Sequence, residues 1–185
     1  MRFFRALFAC CLLGAVTLSA TVVPRMSLGE IAESSERVVH GVVTRKWSAW
    51  DDSHRYIWTH YEIQVNDTLK GPVGTRFTIS EPGGMVGDIG MNLSGAPEFR
   101  VGDEIIVFAY QTPIDYWRVR GYSQGGFMVN PGAAGLKLVA ALAPKGLKFV
   151  GGPSAENPSI AATGVELGKF KYQVRALVNL SREAR

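Results

Sequence analysis

The fold of this chain is decided by residues 56–65, which read YIWTHYEIQV. Polar and apolar side chains alternate here, and an alternation with period two is typical of a β-strand with one buried face. The inward face carries Ile57, Thr59, Tyr61, Ile63 and Val65, and the other face carries Tyr56, Trp58, His60, Glu62 and Gln64. The chain is therefore expected to be built mainly from β-strands.

Further strands are predicted on both sides of this one, at residues 37–46, 76–80 and 104–110. Two more, at 116–122 and 126–130, are expected to form a closing hairpin. Five or six short strands at this spacing predict a mainly β fold, namely a five-stranded OB-like antiparallel barrel, closed or nearly closed, over about residues 37–130. Its buried side chains should include Ile63, Val65, Phe77, Ile79, Val107 and Phe108.

A helix is expected at each end of the barrel. Ser27 and Glu30 have the spacing of a capping box, which predicts a short N-terminal helix that ends near Ser34 and Ser35. Near the C-terminus, apolar residues recur at the spacing of an amphipathic helix, at Phe170, Val174, Leu177 and Val178. We expect this second helix to pack against the barrel.

Glycine marks the remaining segments. The glycines between Gly83 and Gly95 indicate tight turns in a long connection across the barrel, with a ligand-contacting flap as the alternative. The predicted organisation is a signal peptide at 1–20, a barrel domain at 21–143, a linker or draped loop at 144–168 and a C-terminal helix at 169–185.

The first twenty residues have the layout of a secretory signal peptide. A basic flank at residues 1–5 precedes an apolar run at 6–16, and small residues follow at 17–20. The apolar run is shorter than the roughly 20 residues of a membrane span, which disfavours an uncleaved anchor. Too little apolar sequence precedes Cys10 for a lipoprotein acylation site. We expect an exported protein, periplasmic or secreted and bacterial.

Composition excludes several classes of function. Hydrophobic residues make up 46% of the chain, so wholesale disorder is disfavoured. Cleavage at residue 20 would remove both cysteines, Cys10 and Cys11, and would leave 18 basic against 16 acidic residues. No cluster of lysine and arginine remains, so nucleic-acid binding is not expected.

The order of these features resembles the netrin-type module, the OB-like barrel of the tissue inhibitors of metalloproteinases, and secreted bacterial proteins with the same pattern. The resemblance covers about residues 26–130. It is carried by the helix followed by RVVHGVV at 37–43, by YEIQVNDTLKG at 61–71 and by VGDEIIVF at 101–108. It implies a barrel whose first inter-strand loop, here 46–55, often touches the partner. The inhibitors also use an N-terminal cysteine against a protease zinc, which a mature chain without cysteine lacks.

Two groups of residues are candidate sites. If the loop at 46–55 closes a hairpin, His40 and His60 lie nearly opposite one another, with Glu62 on the same face as His60, as weak candidates for a zinc site. The alternative is that both histidines are ordinary barrel residues. The four aromatics Trp47, Trp50, Tyr56 and Trp58 are either partner-binding anchors or residues folded over the end of the barrel.

Three functions follow from these candidates. The first is an exported non-enzymatic binding module, of the protein-interaction or protease-regulating kind, that uses the four aromatics and no cofactor. The second is an OB module that binds a glycan of the cell envelope. The third, with the least support, is a small hydrolase that uses His60, Glu62 or Asp52. The chain has no Gly-x-Ser-x-Gly, phosphate-loop or His-Glu-x-x-His motif.

Overall fold

The computed structural model describes residues 21–143, 146–150 and 164–183; the predicted signal peptide lies outside them. These residues form a mainly β structure with two α-helices, α1 (Leu28–Ser34) and α2 (Leu167–Glu183). The strands are β1 (Thr21–Pro24), β2 (Arg37–Trp50), β3 (Ile57–Lys70), β4 (Arg76–Pro82), β5 (Gly84–Val86), β6 (Ile89–Met91), β7 (Glu104–Gln111), β8 (Trp117–Val119), β9 (Gly126–Pro131), β10 (Lys137–Ala141), β11 (Leu147–Val150) and β12 (Val165–Glu166).

One large sheet contains most of these strands. Its order is β12-β10-β9-β7-β2-β3-β4, with β8 also paired to β7, and all of its pairings are antiparallel. A parallel pair, β1 with β11, and the small hairpin β5–β6 form two separate sheets. The β11 and β12 strands both fall in the stretch predicted as a linker.

The prediction of a closed five-stranded barrel is wrong. The sheet has more than five strands, because β10 pairs with β9 and β12 pairs with β10. These strands extend the sheet at the end opposite to β4. No backbone ladder joins β4 to β8 in the described part of the chain. A side chain bridges the two strands instead, since the Val119 N–H donates to the Glu81 carboxylate at 2.6 Å.

The predicted closing hairpin is also wrong. Strand β8 pairs with residues 109–111 of β7, and β9 pairs with residues 105–107 of the same strand. Both run antiparallel to β7 along one edge, so together they form a single strand interrupted by the 3₁₀ turn Tyr122–Gly125. Two segments that lie end to end cannot pair with each other.

The glycine-rich connection contains the hairpin β5–β6. The reason is local, because Gly83 and Gly84 have φ values of +111° and +132°. These values are accessible to glycine and let the chain turn back sharply after β4. A Cβ atom at Gly84 would lie 2.4 Å from both Ser48 Oγ and Thr59 Oγ1, so the hairpin backbone rests directly on β2 and β3.

The core confirms the inward face predicted for β3 and its neighbours. Ile63, Phe77, Ile79, Val107 and Phe108 are buried, and Val65 is half-buried. They belong to two clusters on opposite faces of the sheet. The side chains of Ile63 and Val107 lie in one cluster, and that of Phe108 lies in the other.

Both predicted helices are present. The capping box of α1 is formed, with Glu30 N–H donating to Ser27 Oγ at 3.2 Å and Ser27 N–H donating to the Glu30 carboxylate at 2.6 Å. Helix α2 buries Phe170, Val174 and Val178 against the sheet. Among the described residues, no helix has the length and apolar character needed to cross a membrane.

Candidate functional site

The turn of the β2–β3 hairpin lies closer to β3 than the sequence indicates. Asp51 N–H donates to the Tyr56 carbonyl, and the Asp51 carboxylate accepts from Arg55 N–H at 2.8 Å and Tyr56 N–H at 3.1 Å. The Ser53 hydroxyl also donates to this carboxylate, and these bonds lower the pKa of Asp51. The tight turn lets both strands continue to Trp50 and Ile57. The first half of the predicted loop, residues 46–50, is therefore strand, and only residues 51–55 form the turn.

The register that follows separates the two histidines. His40 lies opposite Asp67, whereas His60 lies opposite Trp47. Seven residues separate His40 from Trp47 along β2, which corresponds to about 23 Å in a strand. The predicted placement of His40 opposite His60 is wrong, because it assumed a turn three residues earlier. In the described parts of the chain, no three His, Cys, Asp or Glu side chains gather where they could hold a metal ion.

His40 belongs to an ionic cluster beneath α2. Its Nε2 lies 2.8 Å from Glu104 Oε1, and Lys137 Nζ lies 2.7 Å from Glu104 Oε2. Beside it, Lys171 and Arg175 of α2 each contact Asp67 at 2.9 Å. Burial lowers the pKa of His40, although the hydrogen bond to Glu104 opposes this shift. The arrangement ties α2 to the sheet, which is a structural role.

His60 is buried on the other half of the hairpin. Its Nδ1 lies 2.8 Å from Ser80 Oγ, its ring stacks on Trp47 at 5.1 Å, and the edge of Tyr116 approaches at 5.4 Å. Burial lowers the pKa of His60. Glu62 lies two residues further along β3 and faces Arg76 at 3.9 Å. Asp52 is exposed in the hairpin turn.

The four predicted aromatics differ in exposure. Trp47 and Trp50 are half-buried, the Tyr56 side chain is 52% exposed, and Trp58 is only 9% exposed. The strands keep one register from Arg45 to Trp50, so alternation places Trp47 on the face that also carries Trp58 and places Trp50 on the opposite face. The structure therefore brings Trp47 and Trp58 to one surface and puts Trp50 on the other side of the same strand.

Arginine side chains lie over the aromatics of this region. The Arg45 guanidinium is 4.6 Å from the Trp47 ring, and the Arg118 guanidinium is 5.8 Å from the Trp58 ring. Trp58 also packs edge-on against Tyr116 at 5.0 Å. Contacts between guanidinium groups and indole rings contribute about 0.5–2 kcal/mol each. Trp58 is therefore held in place from two sides and supports the surface that Trp47 exposes.

The sequence interpretation missed Glu81, which is fully buried between β4 and β8. Its Oε1 accepts from the Val119 N–H at 2.6 Å, and its Oε2 accepts from Arg118 Nη2 at 3.2 Å and Nε at 3.3 Å. Burial raises the pKa of Glu81 to about 7, against the opposing effect of Arg118 and the Val119 N–H. A buried carboxyl with a raised pKa is often catalytic. Both oxygens here bind structural donors, so Glu81 acts as the bridge between the two strands.

A signal for Glu81 was present in the sequence. Phe77 and Ile79 were predicted to face inward, and the same alternation carries on to residue 81. A glutamate at an inward position requires a partner, because an unpaired buried charge is costly. That partner, Arg118, is 37 residues away in sequence, so only the structure reveals it.

Comparison of the chain with models of known protein families, with curated proteins and with solved structures found no match.

Proposed function

We propose that this chain is an exported, non-enzymatic binding module that captures a protein partner at the distal half of the β2–β3 hairpin, meaning residues 46–61. The contact is made through Trp47, Trp50 and Tyr56, and the buried residues 57–61 of β3 support them from below. The observation that carries the proposal is the partial exposure of Trp47 and Trp50 beside the exposed Tyr56. Export is supported by the signal-like layout of residues 1–20.

The hairpin leaves part of its apolar surface in contact with water. Full burial of one large apolar side chain stabilises a protein by roughly 1.5–3 kcal/mol. The distal half forgoes part of this at both Trp47 and Trp50. A partner that covers them recovers the difference, and the energy of protein interfaces is concentrated in Trp, Tyr and Arg. Arg45 and Arg55, both exposed, add the third of these residue types to the same region.

The experiment is capture from an envelope extract with the mature protein immobilised. We expect Trp50→Ala to weaken capture about 30-fold, the loss typical of an interface hot spot, and to change the free energy of unfolding by about 1 kcal/mol or less. The matched control is Tyr172→Ala, because Tyr172 is an aromatic on α2 that is 78% exposed. The control should capture the partner as well as the wild type.

Other outcomes would contradict the proposal. Loss of stability with unchanged capture would assign Trp50 to folding. Equal effects of Trp50→Ala and Tyr172→Ala would show that the hairpin is not the contact surface. Recovery of a glycan fraction instead of a protein would favour the glycan-binding function over this one.

A further inference from the structure

Strand β2 has an open edge in its distal half. It pairs with β3 along residues 38–50, but with β7 only over Arg37–Val42. The connection before β7 extends this contact by one residue, since Val43 N–H donates to the Asp103 carbonyl and Gly102 N–H donates to the Val43 carbonyl. Beyond Val43, no strand of the described residues pairs with β2 on that side.

A groove formed by two cavities lies against the face of β2 that carries Lys46 and Ser48, next to the open edge. A cavity of about 290 Å³ lies where Lys46 faces Phe99, Arg100 and Met128. A second cavity, of about 450 Å³, lies where Lys46 and Ser48 face Met85 and Met91 of the β5–β6 hairpin. Both are bordered by Lys46, and the second is also bordered by Thr59 of β3. The β5–β6 hairpin forms one wall of the second cavity.

We infer that this open edge, Lys46–Trp50, takes an extended segment of the partner protein as an added β-strand. The inference rests on the proposed function and specifies how the partner binds. An exposed strand edge presents unpaired backbone N–H and C=O groups, and the group that matches them is the backbone of another extended chain. Five residues span about 17 Å, which is the length of an ordinary strand.

The two faces of β2 determine which side chains such a segment would contact. Side chains of an added strand alternate between the faces of the sheet. Those on one face would meet Trp47, and those on the other would meet Lys46, Ser48 and the methionines of the groove. Methionine adapts to ligands of different shape. The segment is therefore expected to carry apolar residues at every second position.

The start of the open edge is protected, whereas its end is not. The register of β2 against β3 shifts between Val43 and Arg45, and two cations follow at Arg45 and Lys46. Bulges and basic residues are devices by which proteins prevent edge-to-edge association. The last four residues of β2, from Trp47 to Trp50, carry no charge. Pairing is therefore expected to be confined to the part of β2 nearest the turn.

The test uses peptides selected from a phage-displayed library of random nonapeptides against the mature protein. The best binder is synthesised with a single N-methyl group at each backbone position in turn. An added strand requires its backbone N–H groups at alternate positions, so we expect N-methylation to weaken binding at least about tenfold at every second position and little at the positions between. Trp50→Ala and Met85→Ala should both weaken binding of the unmodified peptide, and Tyr172→Ala should not.

Four results would overturn the inference. They are failure to recover a binding peptide, a scan without period two, binding unaffected by Met85→Ala, and self-association of the chain that Trp50→Ala abolishes in sedimentation. The last would make a second copy of this chain the occupant. If envelope capture depends on Trp50 but the scan lacks the period, this inference fails and the proposed function stands. If capture does not depend on Trp50, the proposed function fails.

Discussion

The half of the β2–β3 hairpin next to β7 lies in the core, whereas the half next to the turn has an open edge. In the proximal half, Val38, Val39 and Val43 are buried, and β7 pairs with β2 as far as Val42. In the distal half, Trp47 and Trp50 stay half-exposed, and β3 is the only strand of the described residues that pairs with β2. One continuous strand therefore has two different environments, because its neighbours change along its length.

The largest difference between the halves should appear when a core side chain is truncated. Ile63 is fully buried in the proximal half, so Ile63→Ala is expected to reduce the free energy of unfolding by about 2–5 kcal/mol. Trp47→Ala, in the distal half, should cost less although it removes more atoms. Denaturant unfolding monitored by circular dichroism measures both. Equal losses would show that Trp47 belongs to the core as well.

The second expected effect is a dependence of stability on pH, which comes from Glu81, the bridge between β4 and β8. Its pKa is about 7 in the folded protein and 4.5 by its ordinary value. A carboxyl that holds its proton more tightly when folded stabilises the fold below pH 4.5, and this contribution disappears as the pH rises through 7. The expected change is on the order of 3 kcal/mol, at about 1.4 kcal/mol for each pKa unit.

Unfolding free energies measured from pH 4 to pH 9 test this expectation. The wild type should lose stability between pH 4.5 and 7 relative to Glu81→Gln, whose side chain does not titrate. The matched control is Glu98→Gln, since Glu98 is an exposed glutamate and lines one cavity together with Glu81. Parallel curves for the wild type and Glu81→Gln would show that folding does not raise the pKa of Glu81.

The smallest expected effect on stability comes from His40 in the proximal half. Its dependence on pH is opposite in sign to that of Glu81. Burial lowers the pKa of His40 below 6.5 in the folded protein. The unfolded chain then binds the proton more readily, so stability is lost as the pH falls below 6.5. His40→Gln should flatten part of this acid-side loss, and His54→Gln, an exposed residue of the turn, should not. Burial also lowers the pKa of His60, so part of the stability loss at low pH will persist in His40→Gln.

The sequence was sufficient for the local structure. The capping spacing of Ser27 and Glu30 and the alternation around Ile63 depend on neighbouring residues alone, and the structure contains both features. The same holds for α2, whose apolar face at Phe170 and Val174 packs as predicted.

The sequence was not sufficient for pairings between distant strands. Nothing local to Trp117–Val119 indicates that it shares one edge of β7 with β9, and this arrangement is what prevents the predicted hairpin. The position of the turn was missed for a different reason. Two tryptophans beside polar residues resemble a loop, whereas the Asp51 carboxylate fixes the turn by accepting from Arg55 and Tyr56. That error moved the register and created the apparent histidine pair.

Native-state hydrogen exchange of the β2 amides tests the contrast between the two halves most directly. We expect the amides of residues 38–43 to exchange only through global unfolding. In the distal half, the amides bonded to β3 should be protected, while those on the open edge exchange at least about 100-fold faster, in alternation along Lys46–Trp50. Uniform slow exchange from residue 38 to residue 50 would contradict the account, because it would mean that the distal edge of β2 is already paired.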